Sequence, residues 1–276
     1  EEQINIQAGQ MSGYDSPEAD DYLSAYVRSN ALNEHIELIR EAKKSCSIPV
    51  IASINCYTKS EWTDFAKLME EAGADALEIN ILSLQTEKDY EYGSFEQLHI
   101  KVLRGIKKAV KIPVIMKLGS NLTNPVTLIN QLYANGAAAV VLFNRFYQPD
   151  INIDTLSFTS SNVFSSSNEL AEKIRWTAIA SAEVPQIDYA ISGGVHCGKG
   201  VIKSILAGAA AVEVCSAVYQ YGNKEIAEMT NELSSWMESK GYESIGQIKG
   251  KMNANAAGSI NPFERTQFMK YYSNHE

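Results

Sequence analysis

The sequence has few cysteines and histidines and lacks any long apolar run, and each shortage excludes a class of protein. With four histidines in the chain, we expect no metal centre. No apolar run approaches the roughly 20 residues of a membrane-spanning helix, so we expect no membrane segment. The cysteines show no Cys-x-x-Cys spacing, which argues against a zinc site or a disulfide framework and favours the cytoplasm. They are Cys46, Cys56, Cys197 and Cys215.

Basic residues are also in short supply. Lysine and arginine total 24 against 33 aspartates and glutamates, which gives a formal net charge of −9. Nucleic acids and anionic lipid surfaces need a basic protein face, so this balance favours a small-molecule substrate and is compatible with a local basic pocket. The acidic start at Glu1 and Glu2 predicts no secretory signal. Since many barrel enzymes dimerise, we expect a homodimer.

The chain does contain a repeated alternation of short apolar runs and segments with helical spacing. Strands that alternate with helices pair in parallel through right-handed crossovers. This pattern predicts an α/β fold, the TIM (β/α)8 barrel, with a doubly wound open sheet as the alternative. The expected strands are Pro49–Asn55, Ala76–Ile81, Pro113–Leu118, Ala139–Asn144, Ile187–Ser192 and Ala211–Ser216.

Glycines between the predicted helices and strands support the barrel. Gly73, Gly136 and Gly208 each follow a helix, where a left-handed glycine ends it. A barrel closes with eight strands, and fewer are found in the sequence. We therefore expect a single barrel domain over residues 1–276 whose first strands would lie before Glu1. The alternative is that they are hidden in the polar segment that includes a helix predicted near residues 18–44.

One connection is unusually long and rich in serine, asparagine and aromatic residues. It runs from Arg145 to Ser167. Long loops after barrel strands usually cover the active site. We expect this connection to lie over the site and to contain a small hairpin.

Polar residues at the ends of the apolar strands mark the candidate site. Lys117 ends its strand, and it either extends into solvent or is kept for an anion, as a Schiff-base lysine or as a charge beside an electron-accepting ring. Gly193 and Gly194 form either a tight turn or a phosphate cradle of backbone N–H groups. The other strand ends carry Asn55, Asn80, Ser83, Asn144, Cys215 and Ser216.

Five short motifs give the chain a family likeness. Between Pro49 and Tyr219 they occur in the order INILS, PVIMKL, VVLFN, ISGGV and EVCSA. In these motifs the sequence resembles the dihydroorotate dehydrogenases, FMN-dependent barrel enzymes of pyrimidine synthesis, and more closely their dihydroorotate dehydrogenase-like relatives. The resemblance implies an FMN-dependent oxidoreductase, and it implies that an N-terminal part of the barrel would precede Glu1.

The resemblance also implies roles for single residues. Lys117 would stabilise the negative charge of reduced flavin, and Ser83 would be the catalytic base that removes a substrate proton. Serine is a weak base, so Ser83 would need a relay to water. The substrate would contact Asn80, Gln85 and Asn144. The flavin would contact Asn55, Asn80, Lys117 and the backbone of Phe143, and its phosphate and ribityl end would contact Ser166, Gly193, Gly194, Cys215 and Ser216.

The chain departs from the family pattern beside two of these residues. Leu84 and Gln85 follow Ser83 where the family has proline and asparagine, and Arg145 follows Asn144 where the family has a small hydroxyl residue. Two other functions therefore stay open: a degenerate barrel that binds FMN or phosphate without turnover, and an aldolase that forms a Schiff base on Lys117.

Overall fold

The fold is built on a parallel sheet. A computed structural model describes residues 32–56, 59–257 and 262–265. Within them, six strands form one sheet in the order β1-β2-β3-β4-β7-β8, and every neighbouring pair is parallel. All six predicted strands are confirmed. Their bounds are β1 Ile51–Ile54, β2 Ala76–Asn80, β3 Val114–Gly119, β4 Ala139–Asn144, β7 Asp188–Ser192 and β8 Ala211–Glu213.

Helices connect the strands and cover one face of the sheet. The helix predicted near residues 18–44 is confirmed over residues 32–45, and its earlier part lies outside the described residues. The other helices are α1 Lys59–Glu71, α2 Ser94–Ala109, α3 Pro125–Ala134, α4 Leu170–Glu183, α5 Gly198–Ala207, α6 Ser216–Tyr221 and α7 Lys224–Ser239.

The strand order distinguishes the two folds that the sequence left open. A doubly wound sheet reverses its strand order at a switch point, whereas successive strands here are added on one side only. This is the order of a (β/α) barrel. Among the described residues β1 and β8 are the edges of the sheet, so the described part is a half-barrel.

The core lies between the sheet and the helices. On the helix side, Leu77, Ile79, Met116 and Leu142 are fully buried. Successive side chains of a strand point to opposite faces, and on the other face Ile51 is 53% exposed. That inner face carries the polar and charged side chains of the candidate site.

The predicted glycine turns are present. Gly73, Gly136 and Gly208 have φ values of 100°, 88° and 123°, a left-handed region that other residues rarely adopt. At Gly208 a Cβ atom would also collide with the Ser181 side chain.

The long connection after β4 contains the predicted hairpin. Its strands are β5 Pro149–Asn152 and β6 Ser157–Ser160, paired antiparallel. The hairpin extends into solvent: Ile153 is 80% exposed and Phe158 is 91% exposed.

Candidate functional site

A cavity opens at the carboxyl ends of β3, β4, β7 and β8. Its volume is about 720 Å³, within the usual range for sites that bind small molecules. Residues from strand ends and from the long connection line it. They include six of the residues predicted from the sequence: Lys117, Asn144, Gly193, Gly194, Cys215 and Ser216.

Lys117 enters this cavity as part of an ion-pair cluster. Its Nζ lies 2.6 Å from Oε2 of Glu213 and 3.4 Å from Oε1 of Glu78. The hydroxyl of Ser53 donates a 2.6 Å hydrogen bond to the same Oε1 atom of Glu78. Only 15% of the Lys117 side chain is exposed, so the lysine does not extend into solvent. This apolar strand carries a cation near its end because carboxyl groups from two other strands bind it.

Burial and charge shift the pKa values of this cluster in opposite directions. Burial, followed by the hydrogen bond and repulsion from Glu213, raises the pKa of Glu78 to about 7. Burial acts in the same sense on Glu213, but the hydrogen bond with Glu78 and the charge of Lys117 leave its pKa below the usual value. Burial disfavours the charged form of Lys117, yet attraction to both carboxyl groups leaves its pKa raised. The ammonium is therefore protonated at neutral pH.

Side-chain amides lie beside the lysine. Asn80 is the direct register partner of Lys117 between β2 and β3. Its Oδ1 accepts a 2.7 Å hydrogen bond from Nδ2 of Asn144, whose own Oδ1 accepts a 2.8 Å bond from the backbone N–H of Arg145. Asn55 follows the last residue of β1, the strand next to β2, and is exposed. Of these amides, Asn144 lines the cavity, and Asn80 is hydrogen-bonded to it.

A cluster of hydroxyl and imidazole groups forms the other end. The backbone N–H of Ser165 donates to Oγ of Ser216 at 3.0 Å, and the Ser165 hydroxyl lies 3.0 Å from Nε2 of His196. The Gly194 N–H donates to Oγ of Ser165 over a long 3.4 Å. A Cβ atom on Gly194 would lie 2.5 Å from the backbone nitrogen of Leu170. Only glycine permits this approach of the turn to α4.

Ser166 has a different role from its neighbour. Its side chain caps the short 3-10 helix Ser167–Glu169, and its backbone N–H donates to Oε1 of Glu169 at 2.9 Å. Ser165, which the sequence reasoning did not select, lines the cavity instead.

Arg145 fastens the long connection. Its Nε lies 3.1 Å from Oε2 of Glu169, and its two terminal nitrogens donate to the carbonyl groups of Val163 and Asn162 at 2.9 and 2.8 Å. Although Arg145 borders the cavity, its guanidinium is bound to the protein on three sides. This departure from the family pattern therefore has a structural explanation.

Ser83 and Gln85 lie in the exposed loop after β2. Nε2 of Gln85 donates to the Ser83 hydroxyl at 3.2 Å, and Nδ2 of Asn121 donates to the Ser83 carbonyl at 2.9 Å. The wall of the main cavity does not include either residue, and Gln85 borders a smaller cavity of about 250 Å³ beside α2. Phe143 is buried, so its backbone is the part that could contact a ligand.

The sequence reasoning missed several residues of the site. Glu78 stands two residues before Asn80, and Glu213 stands two residues before Cys215, so each shares a strand face with a predicted site residue. An acidic residue in the middle of an apolar strand was the available signal, in ALEIN and in AVEVC. The other missed residues are Ser53, Ser165 and His196.

The described residues contain no group of three or more histidine, cysteine, aspartate or glutamate side chains arranged to hold a metal ion. Within the same part of the chain, no helix has both the length and the apolar character needed to cross a membrane.

Comparison with known proteins agrees with the family resemblance seen in the sequence. The family model described as dihydroorotate dehydrogenase matches residues 27–237. The catalytic subunit of dihydroorotate dehydrogenase B (NAD(+)) from Thermoplasma volcanium is 30% identical over 259 residues, which cover 89% of this chain and 83% of that protein. The corresponding subunit from Methanosarcina mazei is 31% identical over 215 residues, 76% of this chain and 67% of the relative. The NAD-dependent dihydropyrimidine dehydrogenase subunit PreA of Escherichia coli K12 is 25% identical over 244 residues, 83% and 59% of the two chains.

Proposed function

Because this chain belongs to the dihydroorotate dehydrogenase family of barrel oxidoreductases acting on CH–CH bonds, we propose that it binds FMN and oxidises dihydroorotate or a related small cyclic amide. The proposal depends on one observation: the two ends of the cavity carry different chemical groups. Lys117 and an amide line one end, and hydroxyl groups with a glycine turn line the other.

The residues of the cavity fit the parts of FMN. A flavin ring presents carbonyl and N–H groups, which the amides of Asn80 and Asn144 and the ammonium of Lys117 can bind. A phosphate needs several donors, and Ser165, Ser216 and the backbone N–H of Gly194 line the cavity, with His196 in contact with the Ser165 hydroxyl. We assign the ring to the first set and the phosphate to the second.

The chain's own residues would orient substrate and cofactor and carry a proton. FMN, when bound, accepts a hydride from a substrate carbon. Lys117 holds a positive charge where negative charge develops, which is the usual basis of electrostatic catalysis. Asn144 would contact the substrate, whereas Gln85 borders the smaller cavity and does not line the main one.

We assign the proton transfer to Ser83. It lies three residues after Asn80, in a loop that is open to solvent. A proton accepted at its Oγ could therefore pass directly to water, which compensates for the weak basicity of a hydroxyl group. The hydrogen bond from Gln85 occupies one lone pair of the Ser83 oxygen and leaves the other for the substrate proton.

The aldolase alternative is less consistent with the site. A Schiff base requires a neutral amine, and the raised pKa of Lys117 beside Glu213 and Glu78 keeps it protonated. Binding without turnover has one observation in its favour, since Ser83 is not part of the cavity wall. We keep it as the second candidate function.

The relatives named above are catalytic subunits or subunits of dehydrogenases. We propose that this chain also acts as a catalytic subunit, in which electrons leave through a partner protein, and that it forms a homodimer.

The experiment is to mix the purified protein with FMN, remove the free flavin, and record the absorption spectrum before and after anaerobic addition of dihydroorotate. The expected result is retained flavin that bleaches as orotate forms. Retained flavin without bleaching would favour binding without turnover, and protein that retains no flavin would overturn the proposal.

A further inference from the structure

The lysine at the centre of the cavity is accompanied by two carboxyl groups, one more than its charge requires. We propose that Glu213 is a positioning residue that holds the Lys117 ammonium at the cavity, and that Glu213 and Glu78 share one proton, so that the cluster is neutral. The shared proton does not depend on the proposed function, whereas its effect on FMN rests on that function.

The geometry separates the roles of the two carboxyl groups. Glu213 makes the short contact with Lys117, at 2.6 Å, while Glu78 lies 3.4 Å away and receives the Ser53 hydroxyl. The Glu78 side chain is 8% exposed and that of Glu213 is 32% exposed. The more buried group is thus the one farther from the cation, where ionisation is less favourable.

Two carboxyl groups that converge on one ammonium favour a shared proton. Nζ of Lys117 contacts an oxygen of each group, at 2.6 Å for Glu213 and 3.4 Å for Glu78. One cation balances one largely buried carboxylate, and a second negative charge beside the first is unfavourable, so the other group holds a proton. One ammonium, one carboxylate and one carboxylic acid then sum to zero charge. Glu78 is the more buried of the two and the farther from the ammonium, and its pKa is raised to about 7, so we assign the proton to Glu78 below that pH.

Among the described residues, groups on the strands next to β2 and β8 face this pair. They are Ser53 on β1, Lys117 on β3 and Ser192 on β7, the register partner of Glu213. The cation Arg145 is bound to Glu169. Within the described part of the chain, the proton count of the cluster is therefore set by Lys117, Glu78 and Glu213.

Two substitutions each fix the cluster in one arrangement. Glu78→Gln keeps a donor toward Glu213 and an acceptor for Ser53, so it resembles the protonated form at every pH. In Glu213→Gln the remaining carboxyl, Glu78, loses a like charge and becomes the partner of Lys117. That cluster is also neutral, but its ammonium is displaced toward β2. Asp188→Asn is the matched control, because Asp188 forms a 2.6 Å pair with Lys249 at the opposite end of β7.

The first test needs no cofactor. Carbon-13 NMR of the protein labelled at its glutamate carboxyl groups should show one glutamate that titrates near neutral pH. The signal should be present in Asp188→Asn and absent in Glu78→Gln and Glu213→Gln. If no glutamate titrates near neutral pH, or if Glu213→Gln leaves the titration unchanged, the shared proton is refuted.

The second test measures the midpoint potential of bound FMN between pH 6 and 8. At pH 6 the potential should be equal in the unmodified protein and Glu78→Gln, and displaced by about 30 mV, a tenfold change for a two-electron couple, in Glu213→Gln. At pH 8 the unmodified cluster is negative, so its potential should lie below that of Glu78→Gln. Equal potentials in all variants would refute the positioning role. A protein that binds no FMN would refute the proposed function, and the NMR titration would still decide the shared proton.

Discussion

Lys117 shows what the sequence position of a single residue can predict and what it cannot. Its place near the end of an apolar strand left two possibilities, a lysine that extends into solvent and a lysine kept for an anion, and the structure places it in the main cavity. Its immediate partners could not be predicted, because Glu78 and Glu213 are distant in the chain and meet only when β2, β3 and β8 occupy one sheet. Local sequence patterns identify strand ends, whereas contacts across the inner face depend on curvature and register.

Replacing the lysine tests its charge. Lys117→Gln should weaken FMN binding by about tenfold or more, because the cation opposite the flavin ring is lost, which corresponds to about 1.4 kcal/mol. Quenching of FMN fluorescence measures the dissociation constant. Lys249→Gln removes a lysine that pairs with Asp188 outside the cavity and serves as the control. Equal affinity in both variants would contradict the assignment.

Glu78 makes stability depend on pH. Its pKa is raised from 4.5 to about 7 in the folded state, so between these values the folded protein binds a proton that the unfolded chain has released. Stability must then fall as pH rises through this window. Glu213 has a lowered pKa, and its contribution is lost only at acid pH. The free energy of unfolding should therefore fall by about 1–3 kcal/mol more in the unmodified protein than in Glu78→Gln between pH 5 and 8.

Urea denaturation at several pH values measures this difference. Asp188→Asn should retain the full pH dependence, since its pair lies away from the cluster. An identical pH dependence in Glu78→Gln and the unmodified protein would show that Glu78 is ionised throughout.

At the level of elements, the turn after β7 and the long connection meet at the end of the cavity that we propose for the phosphate. The diglycine was predicted from its position after a strand. The choice of Ser165 over Ser166 was not predictable, because two neighbouring serines look alike in sequence and only the cap of the 3-10 helix distinguishes them. The hairpin was predicted from the length and composition of the connection.

Gly194 can be tested against a glycine of similar backbone conformation. Gly194 and Gly93 have φ values of 80° and 87°, but a Cβ atom would approach Leu170 only at Gly194, and nothing lies within 4 Å of one at Gly93. Both alanine variants carry the strain of a positive φ, about 1 kcal/mol. Gly194→Ala should cost about 2 kcal/mol more and abolish FMN binding. Thermal unfolding and flavin titration measure the two effects, and similar behaviour of both variants would argue against the close approach.

Ser165 and Ser166 form a second matched pair. Ser165→Ala should weaken FMN binding about tenfold, as expected for a lost hydrogen bond to a charged group. Ser166→Ala should instead cost about 1 kcal/mol of stability through its lost cap, with affinity preserved. If Ser166→Ala weakened FMN binding and Ser165→Ala did not, the phosphate contact would be assigned to Ser166 instead.

At the scale of the whole molecule, the alternation of strands and helices was sufficient to predict the parallel sheet and its order. The number of strands that complete the barrel does not follow from that alternation. The sequence also did not predict the structure of the segment after α7. It packs beneath the sheet, where the backbone of Gly250 donates to Ile205 and that of Met252 to Leu206, and irregular segments of this kind carry no periodic signal.

Ile248 tests the contribution of that segment to the fold. It is fully buried against Ile202, Ile205 and Leu233. Ile248→Ala should lower the free energy of unfolding by about 2–4 kcal/mol, while Ile245→Ala, at a position that is 44% exposed, should cost less than about 1 kcal/mol. Equal losses measured by urea denaturation would show that the segment does not stabilise the fold.

The clasp formed by Arg145 with Glu169 and two carbonyl groups closes the base of the exposed hairpin. Changes of length at the hairpin tip should therefore not propagate to the cavity, because the two ends of the connection are joined beneath it. Homologous chains are free to lengthen or shorten this tip, and a peptide tag or fluorescent reporter inserted there should leave the cofactor end of the protein undisturbed.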